Sequence, residues 1–180
     1  MFKRIKKYFR KRIIKKQKSL VKREKIINSF NSSNSVGVIF TFKDEQSYSN
    51  IMYLINHYIK NTKNISIIGF YKGKKIPNYF DKQLKYNYFG KKDLNWYGKP
   101  KPIFVKEFIN EDFDMLIDLN MENNYPMQFI LALSRAKFKV GKQKKNSENH
   151  YDFMMSLPEG KSVDDLIYNI NEYTKKIKGE

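Results

Sequence analysis

Short apolar runs rich in β-branched and aromatic residues alternate along this chain with longer segments whose apolar residues recur at three- and four-residue steps. That alternation leaves few architectures open. Val36–Phe40, Ile65–Tyr71, Phe113–Leu119, Phe138–Val140 and Tyr151–Leu157 have the length and composition of strands. Between the first two, Ile51, Leu54, Ile55, Tyr58 and Ile59 form a helical stripe that Asp44 or Ser47 is placed to cap. Phe104–Asn110 reads as a short helix, and Pro126 opens a helix through Ala136, since proline is tolerated in a first turn. Ser162 caps a closing helix that buries Leu166, Ile167, Ile170 and Tyr173. Its first turn holds Asp164 and Asp165 and its last turn lysines, a distribution that complements the helix dipole. Strands separated by helices make βαβ units. The expected fold is therefore α/β: an open, mainly parallel five-stranded sheet with helices on both faces, a Rossmann-like three-layer sandwich filling residues 36–180 as one domain. Residues 76–102 carry Pro77, Gly90, Gly98, Pro100 and Pro102 without a strong period. They read as an irregular excursion, with room for a short strand near Tyr86–Phe89.

Charge is distributed very unevenly. Residues 1–25 hold thirteen Lys or Arg against the single acid Glu24, whereas the other 155 residues hold 23 bases and 17 acids. Phe2, Ile5, Phe9, Ile13, Leu20 and Ile27 recur at helical steps through this segment, so a basic amphipathic helix is expected over residues 1–27. A polar linker follows at 28–35. Such a surplus at one end points to a polyanionic partner. The leading expectation is a non-enzymatic protein associated with RNA, plausibly ribosomal, whose phosphates meet Lys3, Arg4, Lys6, Lys7, Arg10, Lys11, Arg12, Lys15, Lys16, Lys18, Lys22 and Arg23. Phe2, Tyr8 and Phe9 would pack on sugars or on the body. The alternative is an anionic membrane surface, with Phe2, Ile5, Phe9, Ile13 and Leu20 dipping into the interface. A further reading makes the segment a packing helix that caps the domain or a partner subunit.

Elsewhere the accessory candidates are basic and aromatic. Lys72, Lys74 and Lys75 follow the second strand, and Lys137, Lys139, Lys142, Lys144 and Lys145 form a second basic run. Trp96, the lone tryptophan, could stack on bases together with Tyr97, Tyr88 and Phe89. Asp118 ends an apolar run where ligands of open α/β sheets gather; it either caps the next turn with Asn120 or sits in a perturbed site.

Several classes are excluded or disfavoured. Zero cysteines rule out disulfides, thiolate metal sites and thiol nucleophiles. No apolar run reaches the length of a membrane span, and the charged start is unlike a secretory signal, so the expected location is the cytoplasm. Thr41-Phe-Lys-Asp44 after the first strand has no glycine-rich turn, and no Walker A loop exists, so no cofactor is expected. His57 and His150 are the only histidines, and without a nearby Ser, Cys or carboxylate cluster they make weak general bases and a poor metal site. No metal, catalytic residue or small-molecule ligand is identified, and the oligomeric state is left open.

The basic start, Phe113–Asn120, Ser134–Gly141 and Tyr151–Met155 together resemble a family of uncharacterised bacterial single-domain α/β proteins classed as a domain of unknown function. That resemblance implies a fold and no activity. Asp114–Asp118, Ala132–Ala136 and Val140-Gly141 are also similar to the N-terminal half of heptosyltransferase-type glycosyltransferases. That similarity implies a related fold or a degenerate transferase in which Asp118 is the residue to test; such enzymes use a second nucleotide-sugar-binding domain for which this chain has no counterpart.

Overall fold

The computed structural model describes residues 2–59, 62–74, 86–145 and 148–179, excepting the side chains of Lys3 and Glu148. Lys75 and Pro77 lie outside the described residues. Six strands form one sheet: β1 Ser35–Phe42, β2 Asn64–Tyr71, β3 Tyr86–Gly90, β4 Met115–Asp118, β5 Phe138–Lys142 and β6 Phe153–Met155. Their order is β3-β2-β1-β4-β5-β6, and every pairing is parallel. Chain order reverses direction between β1 and β4, the arrangement of a doubly wound Rossmann-like sheet.

The sheet has six strands rather than the expected five. The sixth, β3, falls inside the stretch read as irregular, at the place near Tyr86–Phe89 where that reading left room for a short strand. Tyr86-Asn-Tyr-Phe-Gly90 lacks an apolar run because it is an edge strand with one neighbour, and its tyrosines cover the sheet beside polar backbone. Gly69 on β2 makes this possible: a Cβ there would meet the Tyr88 ring at 2.7 Å and the Phe42 ring at 2.9 Å. Tyr88 in turn shares a hydroxyl hydrogen bond with Tyr48 at 3.0 Å.

Helices cover both faces. On one, α2 (Glu45–Ile59) and α5 (Val163–Lys178) pack Ile55, Ile59, Leu166, Ile167 and Ile170 against Val38, Phe40 and Ile117. On the other, α3 (Ile103–Asn110) and α4 (Tyr125–Leu133) pack Val105, Phe108, Ile130 and Leu131 against Ile39, Ile68 and Leu116. The expected cap of α5 is present. The Ser162 side chain accepts from the Asp165 amide, the Asp165 side chain accepts from the Ser162 amide, and Gly179 closes the helix at φ 75°.

α4 is apolar nearly all round, the pattern of a helix with no solvent face. The sheet covers one side and α1 (Phe2–Lys18) covers the other. Three contacts seat α1. Phe9 packs edge-on against Trp96 with centroids 5.4 Å apart, the Arg10 guanidinium lies 4.4 Å above the Tyr125 ring, and Arg10 Nε donates to the Tyr97 carbonyl at 2.6 Å. The helix ends at Lys18 rather than 27, because the chain then leaves the helical path to reach the β5–β6 edge. There Arg23 clasps Asp152 with two hydrogen bonds of 2.6 and 2.7 Å and also donates to the carbonyls of Ala136 and Lys137. Residues 28–35 are not a loose linker. Asn28, Ser29, Phe30 and Ser33 are buried, Asn28 donates to the Asp114 carbonyl, and Phe30 joins the core. The basic segment is thus continuous with the domain.

Candidate functional site

Two features lie near the carboxyl edge of the sheet: the outer face of α1 and a cleft between β1 and β4. α1 is 17 residues long without glycine or proline; Lys6, Arg10, Ile13, Ile14 and Gln17 are half-buried, Phe2, Ile5, Tyr8 and Phe9 stay exposed, and Arg4, Lys7, Lys11 and Lys15 follow one another along one face. These four are exposed, as are Arg12, Lys16 and Lys22. They rise in steps of about 6 Å per four residues. Among the described residues, Asp152 is the one carboxylate that pairs with the first 25 residues, through Arg23 and more loosely Lys25 at 3.5 Å. The exposed ladder therefore has no neutralising partner among the described residues.

α1 runs parallel to α4. Arg10 sits over Tyr125 in the first turn of α4, whereas Gln17 and Leu20 share a groove with Leu133 at its end. Residues 2–9 consequently continue for about 12 Å beyond the Arg10–Tyr125 contact at the first turn of α4. Trp96, 57% exposed, stands beside them against Phe9.

The expected basic residues separate into distinct roles. Lys6 is half-buried, Lys18 donates to the Asn149 carbonyl, and Arg10 and Arg23 are docking residues. The side chain of Lys3 lies outside the described residues. Lys72 and Lys74 are exposed and Lys142 is half-buried. The second basic run is not a continuous cationic surface, because several of its members are paired or buried. Lys137 pairs with Asp114 at 2.8 Å, while Lys139 and Lys144 are buried. Lys139 Nζ donates to the Leu131 carbonyl, and burial together with the Arg23 charge pushes its pKa down to about 7.

Lys144 belongs instead to a closed network around Asp118. The side chains of Asp118 and Lys144 are 3% and 5% exposed, and their charged atoms meet at 2.7 Å. Tyr151 OH donates to the same carboxylate oxygen, Oδ2, at 2.5 Å, while the other, Oδ1, accepts from the Asn120 backbone amide at 2.9 Å and from Asn120 Nδ2. Burial, then the adjacent carboxylate, raises the Tyr151 pKa well above its ordinary value. Lys144 Nζ also donates to the Asn120 carbonyl at 2.8 Å. Four donors fill a carboxylate's acceptor capacity, so Asp118 holds the turn and has no lone pair left to act as a base. Gly141 permits the arrangement, since a Cβ there would come within 2.7 Å of the Tyr151 ring and 3.0 Å of the Asp118 carbonyl oxygen.

Beside this network a cleft of about 250 Å³ opens at the reversal of strand order. Thr41, Asn120 and Asn124 line its polar side, and Lys72 stands at its rim. The N-terminus of α2 does not face it as an open anion site. Asp44 Oδ1 accepts from the Ser47 amide at 2.9 Å, and its pKa is lowered by the hydrogen bonds to Ser47. Among the described residues no group of three His, Asp or Glu could hold a metal ion, and His57 is exposed, stacked on Tyr53. No helix among them is long and apolar enough to cross a membrane.

The Family of unknown function (DUF6913) matches residues 6–177. The chain belongs to this family. The match begins inside α1, so the family's domain includes the basic helix together with the sheet. No curated protein and no solved structure matches the chain.

Sequence reasoning missed the structural roles of four residues. Arg10 and Arg23 look like their cationic neighbours, Lys144 looks like Lys145, and Tyr151 looks like a core tyrosine. The one signal within reach was Gly141, a glycine inside a strand, which marks a close approach by another group.

Proposed function

We propose that this protein is a non-enzymatic, RNA- or ribosome-associated binding protein of the cytoplasm. Its contact surface is the outer face of α1, where Arg4, Lys7, Lys11 and Lys15 track a phosphate backbone. The observation that carries this reading is the docking of α1. The helix is seated through Arg10 on Tyr125 and Phe9 on Trp96, which leaves Arg4, Lys7, Lys11 and Lys15 in solvent without a counter-charge among the described residues. A helix already ordered on the body loses little conformational entropy when it meets a rigid polyanion. An anionic membrane surface is the second reading, because Phe2, Ile5, Tyr8, Phe9 and Leu20 of the same segment stay 40–80% exposed beside these cations.

Fluorescence anisotropy of a structured RNA against the full chain at several salt concentrations tests this. Four neutralised phosphates give a log–log slope of roughly −3 to −4, and replacing Lys7, Lys11 and Lys15 by Gln flattens it by about 1 per residue. No binding at about 50 mM salt, or flotation with phosphatidylserine vesicles in place of RNA binding, overturns the reading.

A further inference from the structure

We propose that the turn carrying Trp96 is a stacking platform for unpaired bases, so that the RNA this protein takes is a duplex with a single-stranded flank. The inference rests on the reading of α1 as a phosphate-binding surface and names what lies beside that surface.

Trp96 is the only tryptophan of the chain and is 57% exposed, yet the segment that carries it is tightly built. Leu94 and Pro100 close that segment as an antiparallel bridge. Within it the Asn95 amide donates to the Lys99 carbonyl and the Gly98 amide to the Asn95 carbonyl, both at 2.9 Å. Asn95 Oδ1 accepts from the amides of Tyr97 and Lys99 at 3.2 and 2.9 Å. Gly98 sits at φ 94°, and a Cβ there would come within 2.7 Å of Arg10 Nη2, whose Nε donates to the Tyr97 carbonyl. The tip is therefore fixed to α1 before any ligand arrives, and its indole loses little freedom on binding.

The tip joins a row of rings. Tyr8 meets Phe9 at 6.1 Å, Phe9 meets Trp96 at 5.4 Å and Trp96 meets Tyr97 at 5.1 Å, with interplanar angles of 84°, 72° and 84°. None of these contacts lays a ring flat on the indole, and a base supplies that parallel partner. Cations stand close by. Arg12 and Lys16 follow Phe9 by three and seven residues, so they share its side of the helix, and both are exposed. Arg12 Nη1 donates to Tyr8 OH at 3.4 Å, which keeps a guanidinium beside the rings for the phosphate of a stacked nucleotide. Lipid fits this side less well, because Phe2, Ile5 and Phe9 give way to Arg12 and Lys16 and no apolar face runs the length of the helix. Bases inside a duplex are already stacked on one another, so the platform selects unpaired ones.

Fluorescence is the assay, because Trp96 alone supplies the tryptophan signal. The full chain is titrated with a duplex RNA bearing a single-stranded overhang, with the same duplex bearing an abasic overhang of equal length, and with phosphatidylserine vesicles. The expected result is saturable quenching by the first RNA and an affinity about tenfold above that for the abasic form, which keeps every phosphate and lacks only the bases. Both RNAs meet the unaltered chain, so this comparison is independent of whether a variant folds. Trp96→Leu should abolish the tenfold preference and leave the salt slope unchanged, whereas the Lys7, Lys11 and Lys15 to Gln variant should flatten the slope and keep the preference. Equal affinity for the two overhangs, or bound RNA without quenching, overturns the platform and leaves the phosphate reading of α1 standing. No binding of any RNA at low salt overturns both. A blue shift with the vesicles in place of quenching by RNA assigns the rings to lipid and overturns the platform as well.

Discussion

Replacing Arg23 by Met is the sharpest probe of whether the basic segment is part of the fold. Arg23 and Asp152 retain 13% and 11% side-chain exposure and are joined by two short hydrogen bonds. Asp152 also accepts from the Lys139 amide at 3.0 Å. Burial alone would raise its pKa, but Arg23 and that amide hold it below the ordinary carboxylate value. Breaking a buried pair on one side costs about 3–5 kcal/mol. The residual exposure and the nearby Lys25 reduce this to roughly 2–3 kcal/mol, a fall in Tm of about 4–12 °C for a chain this size. Lys22→Met, an exposed neighbour, should stay within about 0.5 kcal/mol. The sign of the pH dependence follows from the lowered Asp152 pKa. Its contribution is present above the unfolded carboxylate pKa and disappears as pH falls through the folded value, so the Arg23→Met deficit should shrink in acid. Urea unfolding at neutral and acidic pH, with Arg23→Met/Asp152→Leu as the double variant, supplies the measurement. A cost for Arg23→Met equal to that of Lys22→Met, or a deficit that persists in acid, refutes the clasp.

Two further outcomes follow from the packed interior. Gly141→Ala places a methyl against the Tyr151 ring and the backbone of Asp118, and should cost about 1–3 kcal/mol in urea unfolding; a neutral result would mean that Tyr151 does not lie over β5. Lys139, with its pKa pushed down to about 7, is largely neutral in the folded protein above that pH but protonated in the unfolded chain up to about 10. Stability from this residue therefore rises with pH between those values, by up to roughly 1.4 kcal/mol per pH unit. Lys139→Met should stabilise the protein most below pH 7, with the advantage fading toward pH 10; a pH-independent difference between variant and parent would contradict the burial.

Much of the fold was legible because its signals are local. Ile51, Leu54, Ile55 and Ile59 fall on one helical face whatever surrounds them, and Ser162 with Asp165 forms its cap within three residues. The run at Met115–Asp118 is apolar because that strand is covered on both faces. β3 was legible only as room for a short strand near Tyr86–Phe89, because an edge strand needs no such run. The helix boundary at Lys18 was equally hidden, since apolar spacing continues to Ile27 while the chain turns away to reach Asp152.

From the sequence alone came the alternation of strands and helices, the caps, and the concentration of cations in the first 25 residues, all properties of neighbours within a few positions. Which cations face solvent and which are spent on docking, and the meeting of Asp118 with Lys144 and Tyr151, depended on partners far away along the chain: Arg23 and Asp152 are 129 positions apart. Only the order of strands in the sheet brings such residues together, because a hydrogen bond or ion pair is chosen by distance in space, and sequence spacing carries no information about that distance beyond a turn or two of helix.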